Sequence, residues 1–263
     1  MPQVPLTSPP PEPSSGKSRQ ILGVRFFTGT AEEAVSLGVA GGLVVVPAAP
    51  ALIELGKDPE YRDALLHADL AITDSGLMVL LWQVFRGERL IRVSGLEYLK
   101  RLLERPEFRS PGRLAWVMPT AASRDRNLEW LRREGFMCSA DDCYLAPMYP
   151  RGPIADPALL EWVESRRPQQ LVVGLGGGTQ ERLGHYLRSH LSYRPGIHCI
   201  GAAIGFLTGD QARIPDWADR FFLGWLFRCL EAPARFLPRY WRARKLVAMM
   251  WRYGENLPPL ATP

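Results

Sequence analysis

Five short runs of apolar, largely β-branched residues punctuate the chain, at 43–46, 70–73, 114–118, 170–173 and 197–200. Each has the length and residue type of a buried strand. Between them, apolar positions recur with helical spacing near 60–67, 77–85, 95–104, 122–134, 157–165 and 180–191. Apolar strands alternating with amphipathic helices predict an α/β fold, a parallel sheet covered by helices on both faces. In such sheets ligands gather beyond the carboxyl ends of the strands. That rule places Pro47, Asp74, Pro119 and the glycines after Val173 on the functional rim.

The same pattern divides the chain. Residues 1–20 are rich in Pro and Ser, lack an apolar core and read as a disordered extension rather than a signal peptide, so the fold is expected to begin near Ile21. A Rossmann-like core is expected over 21–210, a basic and aromatic helical appendage over 211–255, and a flexible tail over 256–263. The uncharged stretch from Ala34 to Ile53 is long enough to span a bilayer, but Gly38, Gly41, Gly42, Pro47 and Pro50 interrupt it. A helix, a glycine break and a buried strand account for it better, which leaves peripheral membrane contact as the expected kind.

Composition adds little until charge is mapped. The 263 residues are 46% hydrophobic, enough for a well-buried core, and carry a formal charge of +5. From Arg213 to Arg252 there are nine Arg or Lys against three acids, so the basic excess belongs to the appendage. Such a segment suits nucleic acid, anionic lipid or a phosphorylated substrate. Interleaved Trp217, Trp225, Trp241 and Trp251 favour a membrane interface over nucleic acid. The cysteines at 138, 143, 199 and 229 form no CxxC pair, and the four histidines show no HxxxH spacing. Reduced thiols and no tightly held metal are expected.

Three segments carry candidate chemistry. Asp74 lies between a predicted strand and a predicted helix, where it can cap the helix, serve as a rim carboxylate that takes a proton, or do both. The loop Gly174-Leu-Gly-Gly-Gly178 can bring backbone amides to a phosphate at a helix N-terminus, or be a plain tight turn. It fits a dinucleotide fingerprint poorly, because Thr179 stands where the last glycine is required. Gly201 to Gly209 reads as a glycine-rich strand end that admits a ligand or another backbone.

These segments resemble, in order and spacing from about Leu22 to Tyr240, the WecG/TagA/CpsF glycosyltransferases, glycosyltransferase family 26. Val173-Gly-Leu-Gly-Gly-Gly-Thr-Gln-Glu181 is similar to the family's VGLGxPKQE, Ala68-Asp-Leu-Ala-Ile-Thr-Asp-Ser-Gly76 to its ADxxxxDGxG, and Arg92-Val-Ser-Gly95 to its RVxGxDL. The tail Arg213-Ile-Pro-Asp-Trp217, Leu223-Gly-Trp-Leu-Phe-Arg228, Pro233, Arg235 and Arg239-Tyr240 resembles RAPxW, GLEWLYRL, EPxR and RRY.

The resemblance implies an inverting, metal-independent enzyme without a cofactor. It would move an N-acetylmannosamine-like or other hexose from a UDP-sugar to a polyprenyl-diphosphate-linked sugar, in bacterial surface polysaccharide synthesis at the inner face of the plasma membrane. Asp74 becomes the catalytic base. Gly176, Gly177, Gly178, Gln180, Glu181 and Arg92 line the donor site, and Arg213, Arg228, Arg235 and Arg239 bind the acceptor diphosphate. A homo-oligomer is left open. The chain departs from the family's pattern at Val46 and Ala48, where VVTPNxDHL has Thr and Asn, at Ser75 and Leu77, at Thr179, and at Gly205 in place of the aspartate of GAxFDFxAG. Those departures leave a non-catalytic, membrane-associated homologue as the alternative.

Overall fold

A computed structural model describes residues 16–201, 203–209 and 224–261. Its strands are β1 (Ser18–Ile21), β2 (Val24–Phe27), β3 (Gly42–Val45), β4 (Leu70–Ile72), β5 (Leu114–Met118), β6 (Cys143–Leu145), β7 (Gln170–Val173) and β8 (Gly196–Cys199). They form one sheet in the order β1-β2-β4-β3-β8-β7-β5-β6, parallel except for the β1–β2 hairpin at one edge. Every residue of β3, β4, β5, β7 and β8 is buried, as expected of parallel strands covered on both faces.

Half of the described α-helices begin at a capping side chain. The α-helices are α1 (Ala31–Val39), α2 (Ala49–Leu52), α3 (Pro59–Leu66), α4 (Gly76–Arg86), α5 (Gly95–Leu103), α6 (Ala121–Arg133), α7 (Pro157–Arg166), α8 (Thr179–His190), α9 (Ala203–Thr208), α10 (Gly224–Glu231), α11 (Pro233–Ala243) and α12 (Lys245–Tyr253). Thr30, Asp58, Ser75, Ser94, Thr120 and Asp156 each accept a hydrogen bond from a first-turn amide of the helix that follows.

Alternation along the strands sends side chains into two cores. Leu43, Val45, Val117, Leu171, Val173 and Ile197 pack on one face with Tyr61, Trp82, Leu183 and Leu246, from α3, α4, α8 and α12. Val44, Ile72, Trp116, Met118 and Val172 pack on the other with Val35, Leu99, Leu128 and Ile204, from α1, α5, α6 and α9. A buried chain of hydrogen bonds crosses the middle of the sheet. The Tyr98 hydroxyl meets His198 Nδ1 at 2.9 Å, His198 Nε2 meets Gln170 Oε1 at 2.8 Å, and Gln170 Nε2 donates to Val39 O.

Several expectations are corrected. The first strand starts at Ser18, before Ile21, and pairs with β2 in a hairpin whose short polar–apolar runs gave no clear strand signal. The end of the chain is anchored rather than loose. Leu22 N and Gly23 N donate to Gly254 O and Glu255 O at 2.8 Å, and Ala261 N donates to Gly56 O at 2.7 Å. The last part of the presumed appendage also belongs to the core, since Leu246 and Met250 of α12 are buried against it. Gly201–Gly209 is a turn followed by α9, with Gly205 buried inside that helix. Residues 1–15, including most of the Pro/Ser-rich extension, lie outside the described residues.

Candidate functional site

Four strand ends, those of β4, β3, β8 and β7, lie side by side at the carboxyl edge of the sheet. Asp74 follows β4. It does not cap α4: Ser75 takes that role, its Oγ accepting from Met78 N at 3.2 Å. Asp74 instead reaches across to the start of α5, where its Oδ1 accepts from Gly95 N at 2.9 Å. The carboxylate is about a quarter exposed, and among the described residues its Oδ2 has no hydrogen-bond donor.

Arg92 stands beside it. Its Nε donates to the Asp74 carbonyl oxygen at 2.8 Å, and its nearest terminal nitrogen is 3.9 Å from Asp74 Oδ1. The segment carrying Arg92 is fixed by Thr73, a fully buried residue that sequence reasoning did not single out. Its hydroxyl donates to Ile91 O at 2.6 Å and accepts from Val93 N at 3.4 Å. Ser94 caps α5 through Glu97 N, and the Ser-x-x-Glu spacing was the available signal for that helix start.

Gly95 links this corner to the neighbouring strands. A Cβ there would lie 3.1 Å from Val46 Cγ1, 3.6 Å from Ile200 O and 3.9 Å from Asp74 Oδ1. Val46 is buried in the core and sets an apolar Cγ1 against Gly95. Ala48 is the residue before α2 and offers it no side-chain cap.

The second wall is the turn from β7 into α8. Gly178 has φ +92°, a conformation that favours glycine, and stands as the N-cap of α8. Glu181 is fully buried behind it, with Oε2 accepting from Gly178 N at 2.6 Å and Oε1 from Gln180 Nε2 at 3.0 Å. Burial raises the Glu181 carboxyl above its ordinary pKa, opposed by these hydrogen bonds. Gln180 also donates to Cys199 O at 3.0 Å and accepts from Gly201 N, clasping the ends of β7 and β8 together. Gln180 and Glu181 thus hold the loop from within, while Gly176 and Gly177 are exposed on its surface. Among the described residues, the Gly176 and Gly177 amides have no acceptor.

The remaining candidates lie in the tail. Arg228 falls on α10, and Arg235 and Arg239 on α11; Arg213 lies outside the described residues. Two further features stand apart from the rim. Asp63 and His67, one helical turn apart, and the sequence-remote His185 place ligand atoms within 4.8 Å of one another where α3 and α8 meet. They are paired already, with His185 Nε2 3.2 Å from Asp63 Oδ2. An open cavity of about 390 Å³ lies at the opposite, amino end of the sheet, lined by Gln170, Arg167 and Arg194, whose polar groups are engaged by Val39, Ser192 and Asp69.

The family model for the "Glycosyl transferase WecG/TagA/CpsF family" matches residues 19–258. A relative from Bacillus spizizenii, named N-acetylglucosaminyldiphosphoundecaprenol N-acetyl-beta-D-mannosaminyltransferase, is 23% identical over 208 residues, covering 76% of this chain and 77% of its own.

Proposed function

Because this chain belongs to the WecG/TagA/CpsF glycosyl transferase family, we propose that it moves a hexose from a UDP-sugar to a polyprenyl-diphosphate-linked sugar during surface polysaccharide assembly, at the cytoplasmic face of the membrane. The hexose is N-acetylmannosamine or a close relative, the sugar named for the Bacillus spizizenii relative. The observation that carries the reading is Asp74, a rim carboxylate oriented by the α5 amide of Gly95 and left with one oxygen for substrate.

The acceptor hydroxyl attacks the anomeric carbon as the bond from that carbon to the UDP oxygen breaks, inverting the configuration. Asp74 Oδ2 takes the hydroxyl proton. Charge gathers on the departing diphosphate, where the Gly176 and Gly177 amides and the positive end of α8 meet it, together with Arg92. Those donors replace a metal ion in this mechanism. Gly178, Gln180 and Glu181 keep the loop in shape. Arg213, Arg228, Arg235 and Arg239 grip the acceptor diphosphate, for which a guanidinium fork is suited. Val46 and Ala48 remove two polar groups from the pocket, which favours a sugar with fewer polar contacts there.

Thermal unfolding with UDP, UDP-N-acetylglucosamine, UDP-N-acetylmannosamine, UDP-glucose, GDP-mannose and NAD tests this. Ligand at ~100 times its dissociation constant adds roughly 2.7 kcal/mol of stability. A shift limited to uridine nucleotides supports the transferase and ranks its donors. A shift with NAD alone overturns it. No shift with any nucleotide, repeated with lipid present, favours a non-catalytic scaffold whose pocket lost function with Val46 and Ala48.

A further inference from the structure

The outer faces of α4 and α12 form a stripe that the fold does not use. The two helices pack together, with the Phe85 and Trp251 rings edge to face at 5.4 Å, while Met78, Trp82, Leu246 and Met250 take their inner faces into the core. On the outside, Leu80 is 44% exposed, Val84 76%, Val247 39% and Trp251 75%. Isolated exposed apolar residues are ordinary, but four around one helix pair mark a contact surface.

The charge carried by the two helices themselves has one sign, while Glu88, just past α4, is paired with Arg19. Helix α4 contains no acid, and its single charge is Arg86. Residues 232–254 contain six Arg or Lys and no acid. Trp241, also exposed, has the Arg244 guanidinium 4.1 Å above its ring. A second copy related by a two-fold axis would set this cationic rim against itself, which is repulsive. An anionic lipid surface complements both parts, since acyl chains accept the apolar stripe and headgroup phosphates accept the guanidiniums.

We propose that α4 and α12 together seat the protein on an anionic phospholipid bilayer. The contact surface therefore includes a helix of the catalytic core as well as the arginine tail. This rests on the lipid-linked acceptor proposed above. Its consequence is positional, because α4 begins two residues after Asp74, so the bilayer surface leads to the catalytic carboxylate. No helix among the described residues is long and apolar enough to cross a membrane, which agrees with a surface-lying contact.

The test is flotation of the full chain with vesicles of phosphatidylglycerol and phosphatidylcholine, against vesicles of phosphatidylcholine alone. The wild type is expected to float with the anionic vesicles and to be released by salt. The double variant Leu80→Ser, Val84→Ser, altered only at exposed positions, is expected to bind roughly tenfold or more weakly with an unchanged melting temperature. Wild-type binding by the double variant overturns the role of α4 and leaves the tail reading standing. Failure of the wild type to bind anionic vesicles overturns both. Weaker binding accompanied by a fall in oligomeric mass on light scattering assigns the stripe to a second copy and also overturns the proposal.

Discussion

Arg92 holds Asp74 by its main chain rather than by its carboxylate. The guanidinium Nε is 2.8 Å from the Asp74 carbonyl oxygen, whereas the nearest guanidinium nitrogen stands 3.9 Å from Oδ1, beyond hydrogen-bond range. The side chain is oriented instead by Gly95 N, 21 residues further along. Position and orientation of the carboxylate are therefore set by separate groups, and each can be removed alone.

Asp74→Asn removes the proton acceptor but keeps an oxygen for Gly95 N. Turnover with UDP-sugar and a lipid-diphosphate acceptor is expected to fall by about a hundredfold to ten-thousandfold, the usual contribution of a general base. The melting temperature should stay close to that of the wild type. Normal turnover would remove Asp74 from the mechanism.

Thr73→Val deletes the hydroxyl that pairs with Ile91 O and Val93 N. Leaving the amide of the buried Val93 unpaired is expected to cost about 1–3 kcal/mol in denaturant unfolding. Because the same segment carries Arg92, kcat should fall more than KM rises. Thr73→Ser, which keeps the hydroxyl, should restore both, and equal loss in the two variants would refute an alignment role.

Glu181→Gln leaves one oxygen where two donors, Gly178 N and the Gln180 amide, now converge. The surplus donor is expected to cost about 1–3 kcal/mol and to loosen the loop. UDP affinity measured by calorimetry should weaken in parallel. Unchanged affinity in a destabilised variant would separate the loop from donor binding.

His198 ties stability to pH. Its burial pushes the imidazole down to about 3 from an unfolded value near 6.5, so the folded protein binds the proton less well. Stability is full above pH 6.5 and is lost as pH falls toward 3, by up to about 1.4 kcal/mol per unit. Denaturant midpoints between pH 5 and 6.5, above most carboxylate titrations, should show this slope in the wild type and lose it in His198→Asn. A slope that persists in the variant would assign it to other groups.

Periodicity and cap chemistry are local, and the sequence by itself determined what depends on them: the five buried strands, six of the helices, the rim carrying Asp74 and the glycine turn before α8. Its motifs also carried the family. Tertiary packing decided which atoms those residues meet. Asp74 accepts from the first amide of α5, which Ser94 caps, rather than capping α4, because Ser75 is better placed for α4 and β4 ends beside the start of α5. Gln180 and Glu181 face inward because β7 and β8 are neighbours, a relation set by strand order and invisible to spacing along the chain. The edge hairpin and anchored terminus escaped notice for the same reason, since Leu22 and Gly254 bond across the whole length of the sequence. Such partners are brought together by burial of the two cores, and the free energy of that burial belongs to the folded molecule rather than to any segment of it.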